Sequence, residues 1–383
     1  MRFRASRHIV GYWEGEHFVL HQFASGRRAV VDPAVVHLLQ ACRSWRTFAQ
    51  LAEAFDGRPR IWIRTALARL SAASFLERSD RSRPARELAY DRWQGWNPAA
   101  GFFHSATRDI AWAEPEQREA IESALQEKAA RVPAPSPLRS QRGLQKVALP
   151  TPQRTGVFPE VLLARRTWRA FSAKPLPLSH LSTLLSLTGG VSMWGASLAG
   201  ERVAFKTSPS AGSKHPIELY VLVRNVKGLP PGIYHYGADR HRLAVISKRL
   251  TAANVETYLG HQWQFRAAAA VVLFVASVAR TNWTYPYARA YRSLLAEAGH
   301  VCQTFCLAAT WLELAPFCTM ALADSAIEKA LGIDGVSDAV LYAAGVGLRP
   351  DHGWVQWPEH APGKPYTPPH RHSGPKRQRT NSR

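Results

Sequence analysis

A short basic segment carries the residue types that bind phosphate. Residues 163–171 read LARRTWRAF and place three arginines and one threonine hydroxyl within five consecutive positions. Guanidinium groups pair bidentately with phosphate oxygens, and a hydroxyl or a backbone N–H can complete such a site. On residue types alone a solvated basic turn explains the segment more simply, so its interpretation depends on the other segments of the chain.

Two further segments are candidates for the same site. Residues 209–216 read PSAGSKHP and stand ahead of an apolar run at 217–223. Small residues before a strand allow a flat ring system to lie close to the backbone. Residues 287–303 read YARAYRSLLAEAGHVCQ and belong to a predicted helix. Each segment alone is compatible with ordinary structure, and their order along one chain is the stronger signal.

The order of these segments resembles the nitroreductase-like flavoenzymes, in particular the SagB-type dehydrogenases that act on ribosomal peptides. The resemblance extends over residues 90–350 and implies FMN as the cofactor. It also implies that the 209–216 segment lies against the isoalloxazine ring, often from the second subunit of a dimer. By position, the phosphate and ribityl contacts are Arg165, Arg166, Thr167 and Arg169, with Thr167 where the family usually has serine. The implied ring contacts are Pro209, Ser210, Ala211 and Ser213.

The last part of the predicted flavin domain adds three positions to the implied site. Residues 312–320 stand where the family runs past the N5 edge of the flavin, although the glycine-rich pattern usual there is absent. The resemblance implies backbone contacts at Thr319 and Met320. A basic residue after the closing strand commonly completes the phosphate site in this fold, and Arg349 stands there.

The catalytic prediction rests on a departure from the family pattern. SagB-type enzymes of azole pathways usually carry a Lys-Tyr pair here, whereas this chain has Thr284 followed by Tyr285, and no lysine occurs in residues 249–328. The resemblance therefore implies that Tyr285 or Tyr287 moves the proton. A phenol with a pKa of about 10 needs a neighbouring cation to act as a base. Candidate cations are Arg280, Arg289 and Arg292.

Three classes of function follow from these observations. The first is an FMN-dependent dehydrogenase or oxidase that tailors a ribosomal peptide or a related natural-product intermediate, with azoline-to-azole oxidation as one reaction. The second is an NAD(P)H-dependent, nitroreductase-like enzyme that acts on small acceptors. The third is a catalytically decayed flavin-fold scaffold or a winged-helix binding protein. The first class implies a homodimer, a peptide or small-molecule substrate, and partner enzymes of a peptide-modifying cluster.

The predicted fold class is α+β, with a nitroreductase-like domain whose central mixed sheet is flanked by helices. Residues 1–80 show a hairpin pattern and three short helical patterns, which predict a small winged-helix-like domain. The resemblance favours a peptide clamp or a degenerate structural module for that domain, both left open, over DNA binding. Residues 81–154 are a connecting segment, 155–350 the FMN domain, and 351–383 a basic, proline-rich tail predicted to be disordered. The connecting-segment side chains expected to pack on the FMN domain are Trp93, Trp96, Phe102, Phe103 and His104.

Inside the FMN domain, two elements are expected to position the site. The continuous apolar run at 267–279 predicts a strand buried on both faces. Residues 289–314 predict a long helix with an apolar stripe, which we expect a second chain to cover.

Composition limits the class of protein. The chain has 383 residues, of which 46% are hydrophobic and 20% charged, so it can form a sizeable globular core. The formal net charge of +21 would suit a nucleic-acid partner, but the arginines are dispersed, with one dense cluster at 370–383. A generally basic surface is the simpler interpretation, and a nucleic-acid partner is not expected.

Cysteine usage and hydropathy predict a cytoplasmic protein without a metal. The four cysteines form no CxxC pair, which suits a reducing compartment. Cys302 and Cys306 lie four positions apart on a predicted helix, but no histidine or cysteine partner stands at ligand spacing. The start of the chain lacks a signal-peptide core and the longest apolar run is too short to span a bilayer, so no membrane contact is expected.

Overall fold

The computed structural model describes residues 1–112, 114–132, 149–196 and 202–351. Apart from Asp351, the predicted disordered tail lies outside the described residues, as does part of the predicted connecting segment. None of the described helices combines the length and the apolar character that a bilayer-spanning helix needs.

The first 78 residues form two small antiparallel sheets and three helices around a core of their own. The strand order is β5-β1-β6 in one sheet and β2-β3-β4 in the other. The strands are β1 (Arg2–Ala5), β2 (Ile9–Glu14), β3 (His17–Gln22), β4 (Arg27–Val30), β5 (Arg46–Thr47) and β6 (Leu76–Arg78). The helices are α1 (Pro33–Ala41), α2 (Phe48–Ala54) and α3 (Arg60–Ala72).

Local sequence signals explain where these helices begin and which face they bury. The Asp32 carboxylate accepts a hydrogen bond from the Ala34 N–H at the start of α1. Thr47 and Gln50 form a reciprocal capping box at the start of α2. The apolar stripe of α3 is buried, with Ile63 fully enclosed. The predicted hairpin and three helices are thus present, and their assignment to the winged-helix class stays a prediction.

The connecting segment packs on the large domain through Trp93, Trp96 and His104, whereas Phe103 is 50% exposed. Its helices are α4 (Ala85–Asp91), α5 (Ala99–Ala106) and α6 (Arg118–Arg131). Trp93 and Trp96 are 2% and 0% exposed and belong to the same core as the central strands. The Trp93 indole N–H donates to the Val336 carbonyl at 3.1 Å, and the Trp96 indole N–H donates to the Tyr285 carbonyl at 2.8 Å.

His104 has a structural role in this contact. Its imidazole lies 2.8 Å from both the Tyr291 hydroxyl and the Gly335 carbonyl, and the side chain is buried. Burial lowers the pKa of His104 to about 4, so the ring is neutral near pH 7.

The large domain is built on a six-stranded sheet with the order β11-β10-β9-β12-β14-β13. Its strands are β9 (Ile217–Val223), β10 (Gly232–Gly237), β11 (Arg242–Ser247), β12 (Ala270–Ser277), β13 (Leu314–Thr319) and β14 (Asp338–Leu348), and β7 (Met193–Ala196) pairs with β8 (Arg202–Phe205) separately. The helices are α7 (Val157–Ala164), α8 (Leu178–Gly189), α9 (Ala252–Tyr258), α10 (Val278–Thr284), α11 (Tyr291–Trp311) and α12 (Asp324–Leu331). The α+β fold with a large sheet flanked by helices is confirmed. A mixed sheet was expected, and the described strand pairs of this sheet are all antiparallel.

The apolar character of β12 explains its central place between β9 and β14. Its side chains alternate between two cores, so that Val272 and Phe274 face α8 and α11 while Val271 and Leu273 face α9 and α12. The stripe of α11 is likewise covered by this chain's own core, with Phe305 fully buried. The expectation that a second chain covers that stripe was therefore wrong.

Candidate functional site

The basic segment after α7 runs alongside the edge of the central sheet. The Trp168 N–H donates to the Pro316 carbonyl of β13 at 2.8 Å, and the Ser172 N–H donates to the Leu348 carbonyl of β14 at 3.0 Å. These backbone contacts hold residues 165–172 next to the ends of both strands.

The sheet edge brings Arg349 to the same place. Its guanidinium donates to the carbonyls of Leu314 at 3.2 Å and Thr310 at 3.4 Å, and lies 5.5 Å from the centre of the Trp168 ring. Loss of solvent lowers the pKa of both Arg169 and Arg349. Cations that have lost solvent are stabilised by an anion, so this donor set fits a phosphate group.

Arg165 and Arg166 differ in their surroundings. Arg166 Nη1 donates to the carbonyls of Leu163 at 2.8 Å and Arg165 at 2.7 Å, so its guanidinium caps the C-terminal end of α7. The charge of Arg165 acts on the thiols of Cys306 and Cys318, which places Arg165 toward α11 and β13.

A second group of predicted flavin contacts lies near the N-terminal end of α11, whereas Arg349 contacts its C-terminal end. The Ser210 hydroxyl donates to Glu297 Oε2 at 2.6 Å and accepts from the His215 N–H at 2.8 Å. Glu297 is 3% exposed, and burial raises its pKa to about 7. The loop at 209–213, which includes Pro209, Ala211 and Ser213, is therefore fixed to the long helix through Ser210.

Tyr285 lies against this loop. Gly212 has a φ of 58°, and a Cβ added there would lie 2.7 Å from the Tyr285 hydroxyl oxygen. Glycine therefore permits both the left-handed turn and the close approach of the phenol. The Tyr287 ring centre lies 6.1 Å from that of Tyr285, and Tyr287 is 52% exposed. The structure thus brings Tyr285, rather than Tyr287, to the predicted flavin loop.

The predicted phosphate-binding arginines and the 209–213 loop are well separated within one chain. Glu297 accepts a hydrogen bond from Ser210 of the loop, and the Thr310 carbonyl accepts one from Arg349. These two residues lie 13 positions apart on α11, a distance of about 20 Å along a helix. One group holds arginines and the other holds the loop with Tyr285.

The predicted N5-edge residues differ in exposure. The buried Thr319 hydroxyl accepts hydrogen bonds from Gln262 Nε2 and the Ala321 N–H, each at 3.0 Å. Met320 follows β13 and is 63% exposed. The predicted backbone contacts at these two residues stay predictions.

A cavity of about 930 Å³ adjoins the 209–213 loop and was not predicted from the sequence. Ser213 lines it, next to the glycine that meets Tyr285. Glu218 lies within it, 2.6 Å from Arg280 Nη1 and 2.8 Å from His235 Nε2. Although burial opposes ionisation, the hydrogen bond from His235 and the charge of Arg280 lower the pKa of Glu218 to about 2.

The same cavity contains Lys206, whose pKa is lowered by burial and by the charge of Arg280, against the opposing charge of Glu218. A lysine with a lowered pKa can accept a proton, which makes Lys206 a candidate acid-base group. In the sequence Lys206 stands three residues before Pro209, far from the Lys-Tyr position at 284–285, so the family pattern gave no signal for it. Arg280, expected to assist a tyrosine, instead forms an ion pair with Glu218.

Comparison with known proteins agrees with this fold. The model of the nitroreductase family matches residues 162–348. A nitroreductase-like protein of Methanocaldococcus jannaschii is 33% identical over 174 residues, which are 45% of this chain and 83% of that protein. The trifolitoxin-processing protein TfxB of Rhizobium leguminosarum bv. trifolii is 28% identical over 151 residues, 38% of this chain and 40% of that protein.

Among solved structures, one similar chain belongs to the E. coli microcin synthetase McbBCD complex with truncated pro-MccB17 bound. It is 18% identical, the match covers 63% of this chain and 96% of that one, and the TM-score is 0.45. The identity and coverage of the archaeal relative carry the assignment, and this chain belongs to the nitroreductase family as a nitroreductase-like oxidoreductase.

Proposed function

We propose that the chain is a SagB-type, FMN-dependent dehydrogenase that tailors a ribosomal peptide or a related natural-product intermediate. The observation that carries the proposal is the contact of the Tyr285 hydroxyl with Gly212, beside a cavity large enough for a peptide side chain and its neighbours. One relative is named for trifolitoxin processing, which supports the peptide class.

The residues present fit FMN. Arg165, Arg169 and Arg349 would hold its phosphate, and the 209–213 loop would lie against its ring. Bound FMN supplies hydride acceptance, which the side chains of a protein cannot provide. Tyr285 would move the substrate proton, while the cavity orients the substrate and limits its contact with water.

A homodimer would complete this arrangement. The two groups of predicted contacts lie at opposite ends of α11, so a second chain could supply the loop group to each flavin. Helix α7 has no buried residue and exposes Val157 and Phe158 at 71% and 66%, which provides an apolar surface for such a partner.

The test uses the full chain loaded with FMN. Under anaerobic conditions, a peptide bearing a thiazoline or oxazoline should bleach the flavin absorbance and lose two hydrogens by mass spectrometry. Rapid bleaching by NADPH with turnover of a nitroaromatic acceptor, and none with the peptide, would contradict the proposal and favour the small-acceptor reductase. The archaeal relative supports that second candidate. A chain that does not take up FMN would favour the scaffold.

The N-terminal domain is proposed to clamp the peptide substrate. Its β4 strand forms the edge of the β2-β3-β4 sheet and could pair with an added strand. Partner enzymes of a peptide-modifying cluster would then deliver the modified peptide to this chain.

A further inference from the structure

Three of the four cysteines gather between α11 and β13. Cys302 and Cys306 are one helical turn apart, so their side chains lie on one face of α11. Cys318 on β13 meets them, and all three Sγ atoms lie within 4.8 Å of one another. The sequence spacing of Cys302 and Cys306 indicated no third ligand. The fold supplies one in Cys318, which stands 12 residues after Cys306 in the chain.

A tyrosine hydroxyl lies beside the cluster. Cys318 is paired with Ala344 across the β13–β14 ladder, and Tyr342, two residues along β14, faces the same side of the sheet. The Tyr342 hydroxyl donates toward Cys318 Sγ at 3.5 Å.

The geometry leaves room for a small ion. Sulfur atoms about 2.3 Å from Zn²⁺ in a tetrahedral site are about 3.8 Å from each other, so a cluster within 4.8 Å needs only a small contraction. All three thiols are free of disulfide bonds. Cys302 and Cys306 are each 3% exposed, whereas Cys318 is partly exposed and offers a route for an ion.

We propose that Cys302, Cys306 and Cys318 form a binding site for a thiophilic d¹⁰ cation, tested here as Zn²⁺. Three thiolates around Zn²⁺ carry one net negative charge, which the guanidinium of Arg165 offsets. The fourth position faces the Tyr342 hydroxyl or a water molecule. The ion would tie β13 to α11 next to the predicted phosphate-binding arginines.

The experiment uses the full-length chain, reduced and freed of metal under anaerobic conditions. Titration with Cd²⁺ should produce an ultraviolet sulfur-to-metal charge-transfer band that saturates at one ion per chain. Added Zn²⁺ should displace Cd²⁺ and remain at one ion per chain after desalting, by elemental analysis. Cys318→Ala and Cys302→Ala should lose the band and the retained Zn²⁺. Cys42→Ala is the matched control, because Cys42 is equally buried but lies in the core of the N-terminal domain, and it should bind as wild type does.

A measurement on wild type alone covers the case in which the alanine variants do not fold. Thiols lose protons when they bind a metal, so Zn²⁺ binding should release protons to a pH indicator and weaken as the pH falls. The proposal is wrong if the reduced, folded wild type gives no charge-transfer band and retains no Zn²⁺. It is also wrong if folded Cys318→Ala binds Cd²⁺ as wild type does.

Discussion

Tyr285 and Tyr287 stand two residues apart after α10, yet only Tyr285 reaches the loop at 209–213. Tyr285→Phe removes the hydroxyl and keeps the ring, so we expect FMN binding to persist while turnover falls roughly 10²–10⁴-fold. Stopped-flow reduction of the bound flavin by substrate measures this directly. Tyr287→Phe is the control and should keep nearly full turnover. Wild-type rates in both variants would remove tyrosine from the mechanism and direct attention to Lys206.

The buried carboxyl group of Glu297 should make the free energy of unfolding depend on pH. Its pKa is raised from 4.5 to about 7 by burial, so the folded chain holds this proton more tightly than the unfolded chain. The free energy of unfolding contributed by Glu297 is therefore present below pH 4.5 and is lost as the pH rises through 7. Glu297→Gln should match wild type at pH 5 and be more stable by about 2–3 kcal/mol at pH 8.

Denaturant unfolding at the two pH values measures this difference. Glu160→Gln, on the exposed face of α7, is the control and should follow the wild-type pH dependence. An equal offset between Glu297→Gln and wild type at both pH values would show that the carboxyl is not buried as described.

At the scale of elements, the segment after α7 places its arginines beside β13 and β14 of the central sheet. Arg165→Ala together with Arg169→Ala should remove FMN, since each charge-assisted contact is worth about 1.5–3 kcal/mol. Quenching of FMN fluorescence on titration with the apoprotein should show a dissociation constant raised at least about 100-fold. Arg166→Ala is the comparison, because its guanidinium binds the carbonyls at the end of α7, and it should affect FMN less. Unchanged FMN affinity in the double variant would place the phosphate elsewhere.

At Gly95 the connecting segment meets the backbone that directly follows Tyr285. A Cβ on Gly95 would lie 2.1 Å from the Pro286 carbonyl oxygen, and backbone cannot give way as a flexible side chain can. We expect Gly95→Ala to lower both turnover and the melting temperature. Gly57→Ala is the matched control, because a Cβ there has no neighbour within 4 Å, and it should leave both unchanged. Loss of stability without loss of turnover would show that the contact does not position Tyr285.

At the scale of the whole molecule, the exposed apolar face of α7 predicts a homodimer. Stable interfaces of this kind bury on the order of 2,000–5,000 Å² in total. Light scattering at micromolar concentration should give twice the chain mass. Phe158→Asp should shift the chain toward monomer and lower flavin content, whereas Ile61→Asp, at an equally exposed position of α3, should do neither. A flavin-loaded wild-type monomer would contradict the shared site.

The sequence predicted those parts of the fold that depend on local pattern. The apolar run that became β12, the stripe of α11 and the caps at Asp32 and Thr47 are all readable from a few neighbouring residues. The burial of Trp93 and Trp96 was expected from the family pattern rather than from local periodicity.

Features that depend on distant pairing were not predictable in this way. The third thiol beside Cys302 and the placement of Lys206 near Glu218 arise from the order of strands in the sheet. The exposure of α7 was also missed, because a helix with apolar residues all round predicts burial within its own chain.

The indole of Trp96 bears on how such a chain can change in evolution. The match to the family model begins at residue 162, yet the carbonyl of Tyr285 accepts a hydrogen bond from the Trp96 indole as well as one from the Tyr287 N–H. A recombination event that exchanged the first hundred residues would remove the indole donor and open the core around Trp93. The N-terminal region is therefore not a cassette that can be gained or lost freely. A transplanted version would need residues at 285–286 that fit Trp96 and Gly95.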